Sequence, residues 1–531
     1  RRIFKNIFMS LISVNNLTFG YETSYKNIFE NTSFDIDTNW KLGFIGRNGR
    51  GKTTFLNLLM GEYNYKGTIT SSVKFDYFPF KTNEGKSTLE TVKNIIAPFT
   101  LWEDEMNKCI KLNTKKSMEK YGELLNLYME NDGYIINELI EKEIRKLDVA
   151  PDVLNRLFNT LSNGERTKVL LASLFLKKNN FLLIDEPTNH LDLEGRSCVE
   201  KYLNSKKGFI LVSHDRHFLD GIVDHILSIN KNSIEIEKGN FSSWQENKNR
   251  QDNYELTQNQ RLKKEITQLE NSFRRTAGWS NLVEKSKIGS HVYDRGAIGH
   301  KAAKMMKRAK AIENRKEKSI DEKKKLLKNI EKCDSLKIIP MDYYKNTLIS
   351  IDGLSVSYGE REILSNISLT VIQGDRVALR GKNGSGKSTI LKILIGENID
   401  YKGTVNLGNN LKISYVPQDT SFLNGSFKNF ILNENINEPI FRTLLSKLDM
   451  NPRSLTKNLD ELSQGQKKKV LLANSLSQSA NIYIWDEPLN YIDVYSRIQI
   501  EQLIRKFEPT MIFVEHDFSF NENIATKIVQ L

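Results

Sequence analysis

Two stretches of this chain have the residue types and spacing to hold a polyphosphate. "GRNGRGKT" from Gly46 and "GKNGSGKS" from Gly381 fit GxxxxGK[ST]. Each follows an apolar strand-like run (Leu42 to Ile45, Val377 to Leu379) and precedes an apolar helical one. Glycines Gly46, Gly49 and Gly51, and Gly381, Gly384 and Gly386, let main-chain N–H groups wrap phosphate at a helix N-terminus, where the dipole favours anions. Lys52 and Lys387 are placed to reach the β- and γ-phosphates, and Thr53 and Ser388 offer hydroxyls to Mg2+, a hard ion that takes oxygen ligands. Asn48, Thr54, Asn383 and Thr389 belong to the same loops and are ATP-binding candidates with them.

Further along, the apolar runs Phe181 to Ile184 and Ile482 to Trp485 deliver the pairs Asp185–Glu186 and Asp486–Glu487 to the strand's carboxyl end, where α/β folds bind ligands. Asp185 and Asp486 suit Mg2+. Glu186 and Glu487 suit the acceptor of a water's proton in phosphoryl transfer to water. His214 in "LVSHD" and His516 in "FVEHD" could contact the γ-phosphate, and their recurrence argues for a role beyond structure.

These motifs recur in one order, so an internal repeat organises the chain. "LTFGYE" from Leu17 returns as "LSVSYGE" from Leu354, "LSNGERTKVLLA" from Leu161 as "LSQGQKKKVLLA" from Leu462, and "FLLIDEPTNHLD" from Phe181 as "IYIWDEPLNYID" from Ile482. Lys52 to Ser162 spans 110 positions against 76 from Lys387 to Ser463, which puts an insertion of about 34 residues in the first copy. We place it near residues 97–133 as an antiparallel helix pair, from the helical spacing of Trp102, Met106, Ile110, Tyr121, Leu124, Leu125 and Tyr128.

Between the copies the composition changes. Leu262, Ile266, Leu269 and Phe273, and again Ala302, Met305, Ala309 and Ile312, repeat at alternating steps of four and three, the pattern of an antiparallel helical hairpin. Gln245 to Pro340 carries 24 Lys/Arg against 13 Asp/Glu, about +11 of the chain's +13. That clustering calls for an acidic partner, nucleic acid or an anionic membrane, and charge alone does not choose between them. The domain reading is therefore 9–240 for the first copy, 241–340 for the linker with a tip near 283–298, and 341–531 for the second copy. No apolar run approaches the roughly 20 residues that span a bilayer, which argues against a membrane location. Cys109, Cys198 and Cys333 suggest neither a disulfide framework nor a zinc site and fit a reducing cytoplasm. Residues 1–8 read as upstream sequence, with Met9 as the natural start.

Taken together, the motifs resemble the ATP-binding cassette (ABC) superfamily. That resemblance implies an α/β fold with two tandem nucleotide-binding domains, an ATP hydrolase, and head-to-tail pairing of the two copies within one monomer. "LSNGE" and "LSQGQ" look like its signature loops, so Ser463, Gly465 and Gln466 would cap the nucleotide on Lys52, and Ser162, Gly164 and Glu165 the one on Lys387. Tyr21 and Tyr358 match the adenine-stacking aromatic, Asp192 and Asp493 the D-loop, and Gln418 the glutamine at the nucleotide and its Mg2+. The chain departs from the pattern at Phe80, which stands where that glutamine is expected in the first copy, and at Leu489 and Tyr491, which replace the first copy's Thr188 and His190. The two sites are therefore expected to hydrolyse at unequal rates.

Two fused cassettes with a helical arm in the first and a charged helical hairpin between them resemble the ABC-F proteins. "GNFSSW" from Gly239, "DRGAIGHKAAKMMKRAKAIE" from Asp294 and "WDEPLNYID" from Trp485 resemble its Vga/Lsa antibiotic-resistance branch. The resemblance implies a cytoplasmic ribosome-protection factor that binds the bacterial 50S E site and 23S rRNA, rearranges P-site tRNA, and displaces lincosamides, pleuromutilins and streptogramin A. Lys301, Lys304, Lys307, Arg308 and Lys310, just past the tip, are the candidate RNA-phosphate contacts. A housekeeping ABC-F translation factor and the ATPase subunit of a transporter are the competing readings.

Overall fold

The computed structural model describes residues 11–22, 27–80, 82, 85–178, 180–189, 191–230, 234–285, 307, 310–311, 315, 336–359 and 361–531. Both copies form one compact unit, and residues 243–332 form a second.

Within the first copy a six-stranded sheet runs in the order Lys74–Phe78, Asn180–Asp185, Phe209–Val212, Lys41–Gly46, His225–Ile229 and Ile234–Lys238. All neighbours are parallel except the last pair. Strands such as Phe209–Val212 are buried throughout, as a sheet covered on both faces requires. A smaller antiparallel sheet places Leu11–Phe19 between Phe29–Asp37 and Lys66–Ser71. The second copy repeats the plan with five parallel strands ordered Ile413–Val416, Ile482–Asp486, Met511–Val514, Arg376–Arg380 and Lys527–Gln530. Its antiparallel sheet places Thr347–Tyr358 between Arg361–Ile372 and Lys402–Leu407.

Each P-loop leaves the carboxyl end of a central strand and opens a helix, Lys52–Leu59 or Lys387–Leu394. The helices are capped by Gly51 at φ 92° and Gly386 at φ 89°, a region costly to side chains. A Cβ there would lie 2.5 Å from the Ile28 side chain or 2.6 Å from that of Leu364, so the loops need glycine on two counts.

In the second copy, helices Phe427–Asn433 and Glu438–Lys447 follow one another directly. The first copy has Thr88–Ile96 and Ile136–Lys146 in the same order, with Phe99–Leu112 and Lys115–Glu130 between them. That pair is tied by Tyr128, whose hydroxyl donates to Glu103 at 2.9 Å and whose ring meets Phe99 edge-on. Of the stripe read from the sequence, Leu124 and Tyr128 are buried, but Ile110 is 53 % exposed and its neighbour Cys109 takes the interior. Two adjacent residues lie about 100° apart on a helix, so a one-residue error turns the face.

The linker's first helix, Phe241–Lys285, is 45 residues long, roughly 65 Å at 1.5 Å per residue. Ile266 of the predicted seam is buried. The second half of that seam and the tip beyond Lys285 lie outside the described residues, as do Lys301, Lys304 and Arg308. Lys307 and Lys310 are helical and exposed.

Candidate functional site

The second copy's P-loop opens onto a cavity of about 980 Å³ whose other wall comes from the first copy. Asn383, Gly384, Gly386, Lys387, Ser388, Thr389, Gln418, Glu487, His516 and Tyr358 line one side; Ser162, Gly164, Glu165 and Asp192 line the other. Ser162 is held there as the N-cap of helix Asn163–Leu176, in a reciprocal capping box with Glu165. Lys387 donates to the carbonyls of Gly381 and Lys382, both at 2.8 Å. Burial lowers its pKa, opposed by Glu487, by Asp192 across the cavity and by Asp486.

Four groups gather around Glu487. His516 Nε2 lies 3.4 Å from one carboxylate oxygen, Asn490 donates to the other at 2.5 Å, and Gln418 bonds the same carboxylate. Lys468 donates to the Glu487 main-chain carbonyl at 3.1 Å. Against the cost of burial, His516, Gln418 and the Lys468 charge together hold Glu487 below the ordinary glutamate range.

The first site is built differently. Lys52, buried, donates to Gly46 O at 2.6 Å, and Thr53 and Tyr77 donate to Asp185 at 3.1 and 2.9 Å. Burial and the adjacent Asp185 push Glu186 up to about 8. Its Oε1 has no hydrogen bond among the described residues, and His214, itself pushed well below its usual range by burial, sits 3.6 Å away. Phe80 is half-buried where the second copy has Gln418, so the donor that Glu487 receives from that side has no counterpart. Tyr21 bonds Thr54 at 2.9 Å and packs edge-on against Phe19 and Tyr63.

The second copy closes this site directly. Asn48 donates to Tyr491 O at 2.9 Å, and Gly465 lies so near that a Cβ would stand 3.2 Å from the Asn48 amide. Ser463 and Gln466 form the capping box that starts helix Gln464–Ser477. Arg47 approaches Asp449 at 3.6 Å and covers the Tyr495 ring. Thus the structure brings each P-loop together with the other copy's signature residues; His190 lies outside the described residues.

Each P-loop hydroxyl is bonded to an aspartate, Thr53 to Asp185 and Ser388 to Asp486, and Asp486 Oδ1 is buried without a partner among the described residues. Burial raises both aspartates. A hydroxyl beside a buried carboxylate with an unused oxygen fits a hard cation such as Mg2+.

A family model described as ABC transporter matches residues 29–189 and 364–490. The chain belongs to this family. It is an ABC ATPase with two ATP-binding cassettes. It is 29 % identical over 539 residues to the ATP-binding protein Uup of Buchnera aphidicola, covering 98 % of this chain and 80 % of that protein. It is 25 % identical over 530 residues to the energy-dependent translational throttle protein EttA of Escherichia coli K12, covering 95 % and 89 %. Both support the ABC-F group. Among solved structures, the archaeal ribosome recycling factor aABCE1, in complex with the stalk protein aP1, superposes with a TM-score of 0.58 at 18 % identity, over 97 % of this chain and 87 % of that one. That likeness concerns the paired-cassette fold. Among the described residues, no helix is long and apolar enough to cross a membrane.

Sequence reasoning passed over Lys468, Asn490 and Tyr77 of these cassettes. Tyr77 was findable, since "YFP" recurs as "YVP" with Tyr415 in its place. Lys468 differs between the copies and carries no motif signal.

Proposed function

We propose that this ATPase is a cytoplasmic ribosome factor in which ATP closes the two cassettes and the closed form acts on translating ribosomes. The observation that carries this reading is the shared wall of the cavity: Lys387 and Ser162 face one space, so nucleotide held by one cassette is completed by the other. Binding energy is then spent on closure, which is the motion a linker of net charge about +11 would transmit to RNA. The name of EttA, a translational throttle protein, agrees with such a target.

In each site the P-loop N–H groups and lysine would hold the phosphates, while Thr53 with Asp185, and Ser388 with Asp486, would hold Mg2+. That ion would neutralise phosphate charge during transfer. Glu487, ionised and fixed by His516, Asn490 and Gln418, accepts the water's proton in the second site. Glu186 performs the same step less readily, because its environment favours the protonated carboxyl. Hydrolysis then releases the cassettes.

The finer reading follows the linker motifs. The factor occupies the 50S E site, its domains divided at about 240 and 340, and the 283–298 tip rearranges P-site tRNA and displaces lincosamides, pleuromutilins and streptogramin A. The E186Q/E487Q protein should sediment with ribosomes in ATP and not in ADP. No ATP-dependent sedimentation would sink the ribosome reading and favour a transporter subunit. Expression in a susceptible host should raise the inhibitory concentration of the three drug classes. Ribosome binding with unchanged susceptibility would leave a housekeeping translation factor, a reading that the match to EttA favours.

A further inference from the structure

The two copies act as internal controls for one another. At two buried positions inside otherwise matched motifs they differ in charge. "LSNGERTK" has Thr167 where "LSQGQKKK" has Lys468, and "LVSHD" has Ser213 where "FVEHD" has Glu515. The second copy thus carries a buried cation and a buried anion, and the first carries two hydroxyls.

Both charged groups grip the same turn. Lys468, 2 % exposed, donates to the carbonyls of Pro417 at 3.0 Å, Glu487 at 3.1 Å and Asp486 at 3.5 Å. Glu515, 4 % exposed, accepts the main-chain N–H of Leu489 at 2.7 Å. The ammonium therefore ties the residue before Gln418 to the carbonyl of Glu487, whose own φ of 47° is unfavourable for a side chain. The carboxylate holds the same turn two residues further on, at Leu489. Burial lowers the Lys468 pKa, and Glu515 is first among the carboxylates that oppose it. An uncompensated buried ion costs several kcal/mol, so the Lys468 charge depends in part on that of Glu515, while for Glu515 itself burial is opposed first by Arg497.

We propose that Lys468 and Glu515 are positioning residues peculiar to the second site, a buried clamp that keeps Gln418 bonded to Glu487 and makes this the faster hydrolytic site. The first site lacks cation, anion and glutamine together, with Thr167, Ser213 and Phe80 in their places. The clamp acts through Glu487, and so rests on the assignment of that carboxylate to the water's proton.

The test is steady-state ATP turnover in two backgrounds, E186Q, where the second site works alone, and E487Q, where the first does. K468T/E515S installs residues that the same scaffold already packs in its first copy, and K468M/E515Q keeps shape and removes charge. Either pair is expected to lower kcat in the E186Q background by about tenfold or more. ATP affinity, read with a fluorescent ATP analogue, should fall by less than kcat does, because the clamp leaves the P-loop untouched and reaches the nucleotide only through Gln418 and the Asp486–Glu487 turn. An equal fall in both backgrounds, no fall, or a fall confined to KM would overturn the clamp. The E186Q/E487Q protein is the control. Turnover retained there sinks the glutamate assignment, whereas turnover lost there but full in E186Q/K468M/E515Q sinks the clamp alone.

Discussion

The side-chain amide of Asn48 donates to the main-chain carbonyl of Tyr491 at 2.9 Å, joining the first cassette's P-loop to the turn that follows Glu487 in the second. One residue earlier, Asn490 donates to Glu487 itself. A single turn therefore touches the P-loop of one site and the carboxylate of the other. Tyr491 presents its carbonyl from a left-handed backbone at φ 64°, a strained conformation for a side chain of this size.

Gly465 fills the remaining space beside Tyr491, and a Cβ there would sit 2.6 Å from Tyr491 O. The obstacle is backbone, so it cannot swing aside. G465A is expected to lower first-site turnover, measured in the E487Q background, by at least about tenfold through displaced closure. Unchanged turnover would show that this closed arrangement is not used in catalysis.

Across the same interface Arg216 pairs with Glu501, both largely buried. Burial, with the Asp517 charge, pushes Glu501 up, and Arg216 opposes it by charge and hydrogen bond. R216M leaves that carboxylate unpaired and should destabilise by about 3–5 kcal/mol, whereas R216M/E501M should recover most of the loss. Urea denaturation of the four proteins of this cycle measures it; additive effects would mean that the pair is not formed in solution.

Glu515 gives a pH dependence of stability. Burial raises its carboxyl to about 7 from an ordinary 4.5. The folded form keeps the proton through a range in which the unfolded chain has released it, so this contribution to stability is present below about 4.5 and is lost as pH rises to about 7. Replacing the group with E515Q should therefore shift the stability difference between variant and parent in the variant's favour across that window, by about 3 kcal/mol from its lower to its upper end. Thermal unfolding from pH 5 to 8 should show the gap opening and then levelling. A constant gap would contradict the raised pKa.

Replacing Lys301, Lys304, Lys307, Arg308 and Lys310 with serine should weaken ribosome binding and flatten its salt dependence. The log–log slope should fall by about one unit for each phosphate no longer neutralised. Cassette turnover without ribosomes should be unaffected. An unchanged salt slope would place the RNA-binding cations elsewhere on the linker.

ATP chemistry and the paired α/β architecture are legible in the order of residues alone. Local grammar carries both: a glycine loop after an apolar strand can do little else than bind phosphate, and its recurrence at Lys52 and Lys387 removes chance. The size of the helical insertion was also legible, because motif spacing counts residues directly. Its interior was not, since Cys109 rather than Ile110 faces inward and periodicity alone leaves a residue's face open to a one-position error. How the surroundings of the two glutamates differ is visible only in the folded chain. Lys468 and Glu515 lie 47 residues apart in the chain and meet around one turn, and Asn48 meets Tyr491 across 443 residues. Such meetings depend on how strand order and cassette pairing bring distant segments together, and a lysine read alone in "QKKKV" looks like one more solvated charge.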